Sequence, residues 1–168
     1  MKRKKKEQEF CTQLVNGIKA AGGFAHKISD VPVSFMKAET GKRIRFTLPK
    51  QFDIHCANPL RRGQYTAIEA KMWNLKKSVP TPARAMWLLR PTELEALREV
   101  HAAKGRALVV LKRYVPRASE YWLLSASLFF EHHDRFPDLV QVQKATSFEG
   151  LLDLIICPWP GDKDKGDD

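Results

Sequence analysis

Two short stretches of alternation constrain the fold more than any other feature of this sequence. Phe52, Ile54 and Cys56 alternate with Asp53 and His55, and alternation resumes over residues 65–72 after a segment holding Asn58, Pro59, Arg62 and Gly63. A period of two belongs to strands with one face toward a core, and the turn residues between them make the two runs a β-hairpin. Equal parity puts Asp53 with His55 on one face and Glu69 with Lys71 on one face, while Ile68 and Ala70 point to the other. If the two strands pair, Asp53, Glu69 and Lys71 converge at one polar spot on an otherwise apolar sheet.

The remaining periodicities supply the other layers of an α/β domain with a mixed central sheet flanked by helices. Phe10, Leu14 and Ile18, with Cys11 and Val15, recur at helical spacing until Gly22 and Gly23, so residues 5–21 read as an amphipathic helix and 24–28 as a short strand. Residues 33–49 alternate loosely around Gly41, with Ile44, Phe46 and Leu48 on one face, as a basic hairpin or flap would. After a proline-interrupted segment, Thr92 with Glu95 three residues on has the form of a capping box, opening a helix whose buried stripe is Leu94, Leu97, Val100 and His101 and which stops at Gly105. Residues 107–111 and 121–124 read as buried strands, and 127–135 and 147–156 as helices. The expected organisation is one domain over residues 1–157, with residues 1–6 as a basic arm and 158–168 as a disordered tail of alternating Asp and Lys.

Charge supplies the partner. The chain has 168 residues and a net charge of +10, yet residues 1–33 carry +4, residues 34–90 carry +9 and residues 91–168 carry −3. The acidic side chains of the middle block are only Glu39, Asp53 and Glu69, set among a dozen Lys and Arg. A one-sided basic surface of this kind points to a polyanion, with nucleic acid first. Apolar runs such as 107–111 fall far below the ~18 residues of a membrane span, and no signal-peptide core follows the basic N-terminus, so the expected setting is the cytoplasm, with no membrane partner. Cys11, Cys56 and Cys157 form no CxxC pair and indicate neither a disulfide framework nor a zinc knuckle.

Two carboxylates and a lysine inside a basic field match the needs of phosphodiester hydrolysis. Carboxylate oxygens hold Mg²⁺, which activates water and neutralises the charge of the pentavalent state, and a nearby ammonium orients the water or steadies the developing oxyanion. Lys4, Lys5, Arg43, Arg45, Arg61, Arg62, Lys76 and Lys77 are the candidate phosphate contacts, long cations on segments flanking that centre. No helix-turn-helix, zinc-finger or RNP pattern is visible, so recognition by shape is expected.

Phe52-Asp53-Ile54 followed, sixteen residues after Asp53, by Glu69-Ala70-Lys71 resembles the PD-(D/E)XK nuclease motif, with Phe52 in place of the customary proline. The surrounding order is similar to that of Holliday-junction resolvases: a Glu-bearing first helix ending in Gly22-Gly23-Phe24, the strand end Lys27-Ile28-Ser29, the acidic hairpin, the capped helix and the strand after Gly105. Lys77-Ser78-Val79-Pro80 after the motif resembles the bacterial RecU-like branch, and the compact size the archaeal Hjc-like branch and its phage relatives. The resemblance covers roughly residues 5–125 and implies a restriction-endonuclease-like fold. It also implies Mg²⁺, with Mn²⁺ able to substitute, on Asp53, Glu69 and the Ala70 carbonyl, with Lys71 assisting the water. It further implies Glu9 as a first-helix carboxylate completing the site, Ser29 as a residue needed for cleavage, and 5′-phosphate and 3′-hydroxyl products. The corresponding activity is resolution of four-way junctions in branched double-stranded DNA by a homodimer, at the nucleoid or in a phage-infected host.

Each feature also has a plainer reading. Asp53, Glu69 and Lys71 can be a cross-strand ion pair on a surface hairpin, Glu9 a solvated helix position with Glu7 as competitor, and the basic N-terminal run a frayed end. His55 reads as a rim residue, His132-His133-Asp134 as a helix surface lacking a partner pair at ligand spacing, and Trp73, Trp87, Trp122 and Trp159 mostly as core or dimer contacts. Alternatives at the level of function are a related nuclease acting on flaps, nicks or duplex ends, and a non-catalytic nucleic-acid-binding protein.

Overall fold

A computed structural model of the chain describes residues 2–29, 31–36, 43–48, 51–58, 64–73, 85, 87–115, 118–126, 130 and 142–156. Helix α1 (Lys2–Ala20) is followed by strands β1 (Phe24–Lys27), β2 (Val31–Met36), β3 (Arg43–Leu48), β4 (Ile54–Asn58) and β5 (Gln64–Trp73). Helix α2 (Pro91–Ala102), strands β6 (Arg106–Val115), β7 (Ala118–Ser125) and β8 (Val142–Ala145), and helix α3 (Phe148–Ile156) complete the order. The expected α/β class with a mixed sheet and flanking helices is what the chain adopts. A six-stranded sheet runs β1-β4-β5-β6-β7-β8, and β2 pairs with β3 in a separate two-stranded sheet.

All pairings in the large sheet are antiparallel except β5 with β6, where Glu69 registers with Val109 and Lys71 with Leu111. Parallel neighbours need a crossover connection, and α2, lying between β5 and β6 in the chain, packs on both. Residues 106–112 of β6 are all buried, as expected of a strand covered on both faces. One core layer, beneath α1 and α3, holds Phe10, Leu14, Ile18, Ile54, Ile68, Leu108, Leu123 and Leu151. The other, beneath α2, holds Ala67, Leu97, Val109, Leu111, Trp122 and Leu124. Parity within β5 therefore sends Ile68, Ala70 and Met72 to the α1 face and Ala67, Glu69, Lys71 and Trp73 to the α2 face.

The helix ends follow from local chemistry. At the end of α1, Gly22 takes a left-handed φ of 82°, and the Gly23 amide donates to the Ile18 carbonyl at 2.9 Å while the Gly22 amide donates to Lys19 at 3.0 Å. That is the Schellman closure. The same closure ends α2, with Gly105 donating to Val100 at 2.8 Å and Lys104 to His101 at 2.9 Å, but here the left-handed residue is Lys104, at φ 61°. Gly105 serves close approach, since a Cβ there would lie 2.8 Å from Val100 Cγ1.

Several expectations are corrected. Residues 2–6 are not an arm but the start of α1, with the Lys6 ammonium over the Tyr114 ring, 4.9 Å from its centroid. The cap of α2 lies two residues earlier than Thr92: Pro91 opens the helix, Arg90 is the N-cap, and Glu95 pairs with Arg98 at 3.1 Å instead of capping. Pro91 explains the shift, because its fixed φ favours the first helical position and its missing N–H costs nothing there. Strand β8 was not anticipated, as residues 142–145 alternate too weakly to announce one. Trp73 and Trp122 are core residues, whereas Trp87 is 87% exposed. Residues 31–36 and 43–48 form the expected basic pair of strands, beginning two residues earlier than residue 33. The expected helix at 127–135 apart from Phe130, His132-His133-Asp134, Cys157, Trp159 and the tail at 158–168 lie outside the described residues.

Lys104→Gly is expected to stabilise the fold by about 0.5–1 kcal/mol, the relief of left-handed strain less the extra unfolded-state entropy of glycine. The midpoint of urea denaturation, compared with that of the parent chain, checks it.

Candidate active site

Three strand segments and one helix end meet on the α2 face. Asp53 stands immediately before β4, tied on both sides: its amide donates to the Ile68 carbonyl at 3.2 Å and its carbonyl accepts from the Ile28 amide at 2.8 Å. Its carboxylate Oδ2 accepts from the Ala70 amide at 2.8 Å, which pins the side chain against β5. Glu69 is central in β5 and 1% exposed, and Asp53 is 3% exposed. The Lys71 ammonium, two residues along the same face, sits 2.6 Å from Glu69 Oε1. Asp53, Glu69 and Lys71 are thus brought together, as the alternation requires.

A fourth group joins them that the sequence reading did not single out. Glu93, 1% exposed in the first turn of α2, lies 3.0 Å from the Lys71 ammonium. Its carboxylate reaches back to the helix start, where the Arg90 amide donates to Oε2 at 2.8 Å and Arg90 Nε donates to Oε1 at 2.7 Å. Arg90 Nη2 approaches Oε1 at 2.6 Å. A carboxylate at the third helical position is favoured both by that reach and by the positive end of the helix dipole. Pro91 is the signal that could have placed it, since a helix counted from Pro91 puts Glu93, not Glu95, where a side chain caps the start.

The electrostatics set the four groups apart. Burial, reinforced by the Asp53 charge and opposed by Lys71, pushes the Glu69 carboxyl up to about 8. Burial also acts to raise Glu93, but hydrogen bonds from the Arg90 amide and from Lys71 outweigh it and hold that carboxyl below its usual range. Burial acts to lower Lys71, and the contacts with Glu69 and Glu93 override it and raise the ammonium instead. Glu69 Oε2 is buried with no hydrogen-bond partner. A bare, buried carboxylate oxygen beside a second carboxylate is a ready acceptor for a hard cation.

Among the described residues no three His, Cys, Asp or Glu side chains gather into an all-protein metal cage. Mg²⁺ does not require one, because it commonly binds through one or two carboxylates and keeps waters or substrate phosphate oxygens for the remaining positions. Asp53 and Glu69 fit that donor set, with the orphaned Oε2 as the observation in its favour. Ala70 contributes its amide to Asp53.

Other expected site residues are placed elsewhere. Glu9 is exposed on α1, and its charge acts on Lys112, a residue on the α1 face of β6. Lys112 also lies over the Phe10, Tyr114 and Tyr121 rings at 5.3, 5.3 and 5.5 Å. The charges that act on Glu69 come from Asp53, Lys71 and Glu93. Glu9 is therefore not brought to the Asp53, Glu69 and Lys71 cluster: α1 covers the opposite face of the sheet, and the further carboxylate next to that cluster is Glu93 of α2, through its contact with Lys71. Ser29 is exposed, next to the Ile28 amide that holds the Asp53 carbonyl. His55 shares the Asp53 face but its ring contacts Phe24, His26 and Tyr65, with centroids 5.9, 5.7 and 6.2 Å away. Lys5 is exposed on α1, and Lys4, Arg43 and Arg45 are placed only by their backbone, in α1 and β3. Arg61, Arg62, Lys76 and Lys77 lie outside the described residues.

No helix among the described residues is long and apolar enough to cross a membrane. Comparison with known proteins gives no match, either to a protein-family model or to a curated sequence.

The raised Glu69 carboxyl makes stability depend on pH. Between the ordinary carboxylate value of 4.5 and about 8 the native state keeps a proton that the unfolded chain has released. Stability therefore falls as pH rises through that window and levels off above it. With chelator present, the thermal midpoint of the parent chain is expected to drop across the window, and Glu69→Gln is expected to flatten that dependence in melts recorded at intervals of pH.

Proposed function

We propose that this chain is a metal-dependent DNA endonuclease that hydrolyses phosphodiesters in branched double-stranded DNA, with four-way junctions as substrate. The observation that carries the reading is the convergence of Asp53, Glu69 and Lys71 on one sheet face, with a carboxylate oxygen of Glu69 buried and bare. The sequence resemblance to PD-(D/E)XK nucleases supports it, as does the concentration of positive charge in the segment that contains these residues.

On this reading Asp53 and Glu69 hold Mg²⁺ or Mn²⁺. When bound, such a cation lowers the pKa of a water and neutralises charge on the phosphate. Asp53 is held in place by the Ala70 amide, so its carboxylate is oriented before any ligand arrives. Lys71 offers a donor beside Glu69, able to orient the water or stabilise charge on a phosphate oxygen. Lysines and arginines of residues 34–90 neutralise the backbone of the DNA arms without reading sequence. Paired cuts in two strands need two such centres, which a symmetric homodimer provides.

The test is cleavage of a synthetic four-way junction with Mg²⁺ or with chelator, alongside flap, nicked and linear duplexes. Symmetric, Mg²⁺-dependent nicks across the branch point are expected. Asp53→Asn, which keeps an acceptor for the Ala70 amide, is expected to lose on the order of 10²–10³ of the rate, the scale on which one transition-state charge partner acts. It should retain junction binding in a gel-shift assay. Cleavage confined to flaps or ends would change the substrate. Full activity of Asp53→Asn, or no metal-dependent cleavage of any of these substrates, would overturn the assignment.

A further inference from the structure

The Lys71 ammonium stands on Glu69 Oε1, beside the bare Oε2 that a cation would take. It lies 2.6 Å from Glu69 Oε1 and 3.0 Å from Glu93 Oε1, its side chain only 14% exposed. An ammonium and a divalent cation on the same carboxylate repel one another at short range. A cation taken on Oε2 repels the ammonium on Oε1 and loosens that contact, and a buried ammonium that loses its partner is costly. A second acceptor is already in place. Glu93 is fixed from the other side by the Arg90 amide at 2.8 Å and Arg90 Nε at 2.7 Å, so its carboxylate stays put when Glu69 turns away from Lys71. Its distance from Lys71 is a hydrogen bond as it stands.

We propose that Glu93 is a positioning residue that keeps Lys71 when Glu69 exchanges the ammonium for a divalent cation. The bridge Glu69–Lys71–Glu93 is the form without cation, and Lys71 held by Glu93 alone is the form with it. Lys71 thus remains beside the centre, displaced from Glu69 but neither lost to solvent nor left unpaired. This rests on the reading of Asp53 and Glu69 as a cation site, and it concerns a residue on a different element, α2, that touches neither the cation nor the water.

Binding of Mn²⁺ alone, followed by calorimetry or by the loss of its free-ion electron paramagnetic resonance signal, tests this without any cleavage. Glu93→Gln is expected to weaken Mn²⁺ affinity about tenfold, the lower end for loss of a partner outside the ligand set. In a Lys71→Met background, where no ammonium has to be kept, the same Glu93→Gln change is expected to have less than a twofold effect. If Glu93 acted only through its negative charge, the weakening would be equal in both backgrounds, and that result would overturn the proposal. Glu93→Asp supplies a second arm, useful if Glu93→Gln folds poorly. It preserves the charge but draws the carboxylate back by one methylene, so it should also weaken binding where Lys71 is present, and parent-like affinity would count against the proposal. Failure of the underlying reading has a different appearance: Mn²⁺ affinity indifferent to Glu69→Gln and Asp53→Asn removes the cation site itself, and the role of Glu93 with it.

Discussion

A carboxylate buried in the middle of a central strand governs the arrangement around it. Glu69 is 1% exposed, with β4 on one side and β6 on the other, and water does not reach its second oxygen. Such a group is expensive unless charge is brought to it, and the neighbouring elements bring charge of both signs. Asp53 raises the Glu69 carboxyl further and Lys71 acts to lower it, while Glu93 and Arg90 extend the network to the helix end. The three carboxyl groups are buried, while the Lys71 side chain is 14% and the Arg90 side chain 52% exposed.

The parallel pairing of β5 with β6 is what brings the helix end to that spot. The crossover passes through α2, and packing of Leu97 and Ala96 on the sheet holds the first turn over β5. The charged groups on the two sides of the sheet consequently fall into separate sets. On the α2 face lie Asp53, Glu69, Lys71, Glu93 and Arg90. On the α1 face Lys112 is surrounded by aromatic rings and receives its nearest acidic influence from Glu9. Because β6 fills the space between with apolar side chains, the two sets do not merge.

Much of this was legible along the chain. Residues 52–56 and 68–72 carry an unbroken period of two, and because that period is steric it forces Asp53, Glu69 and Lys71 to one face once the strands pair. The helical spacing of Phe10, Leu14 and Ile18 likewise marks the buried stripe of α1. Glu93 was not legible in the same way. Thr92 with Glu95 imitates a helix start two residues downstream, and the position of Pro91 decides between the two starts only when its preference for the first helical residue is weighed. Glu9 misled for a related reason: its place on α1 is plain, but which sheet face α1 covers is not written in the helix. Strand β8 and the exposed Trp87 are further cases in which neighbours, not local pattern, set the outcome.

The sequence by itself determined most of the elements, the face of β5 on which Glu69 and Lys71 lie, and the placement of most positive charge within the first ninety residues. These are consequences of backbone geometry and composition, which operate over a few residues at a time. Only the tertiary structure decided that β5 and β6 run parallel, that α2 rather than α1 covers the acidic face, and that Glu93 stands against Lys71. Those outcomes depend on which long-range pairing buries the apolar faces of all elements together, a sum over the whole chain that no local window contains.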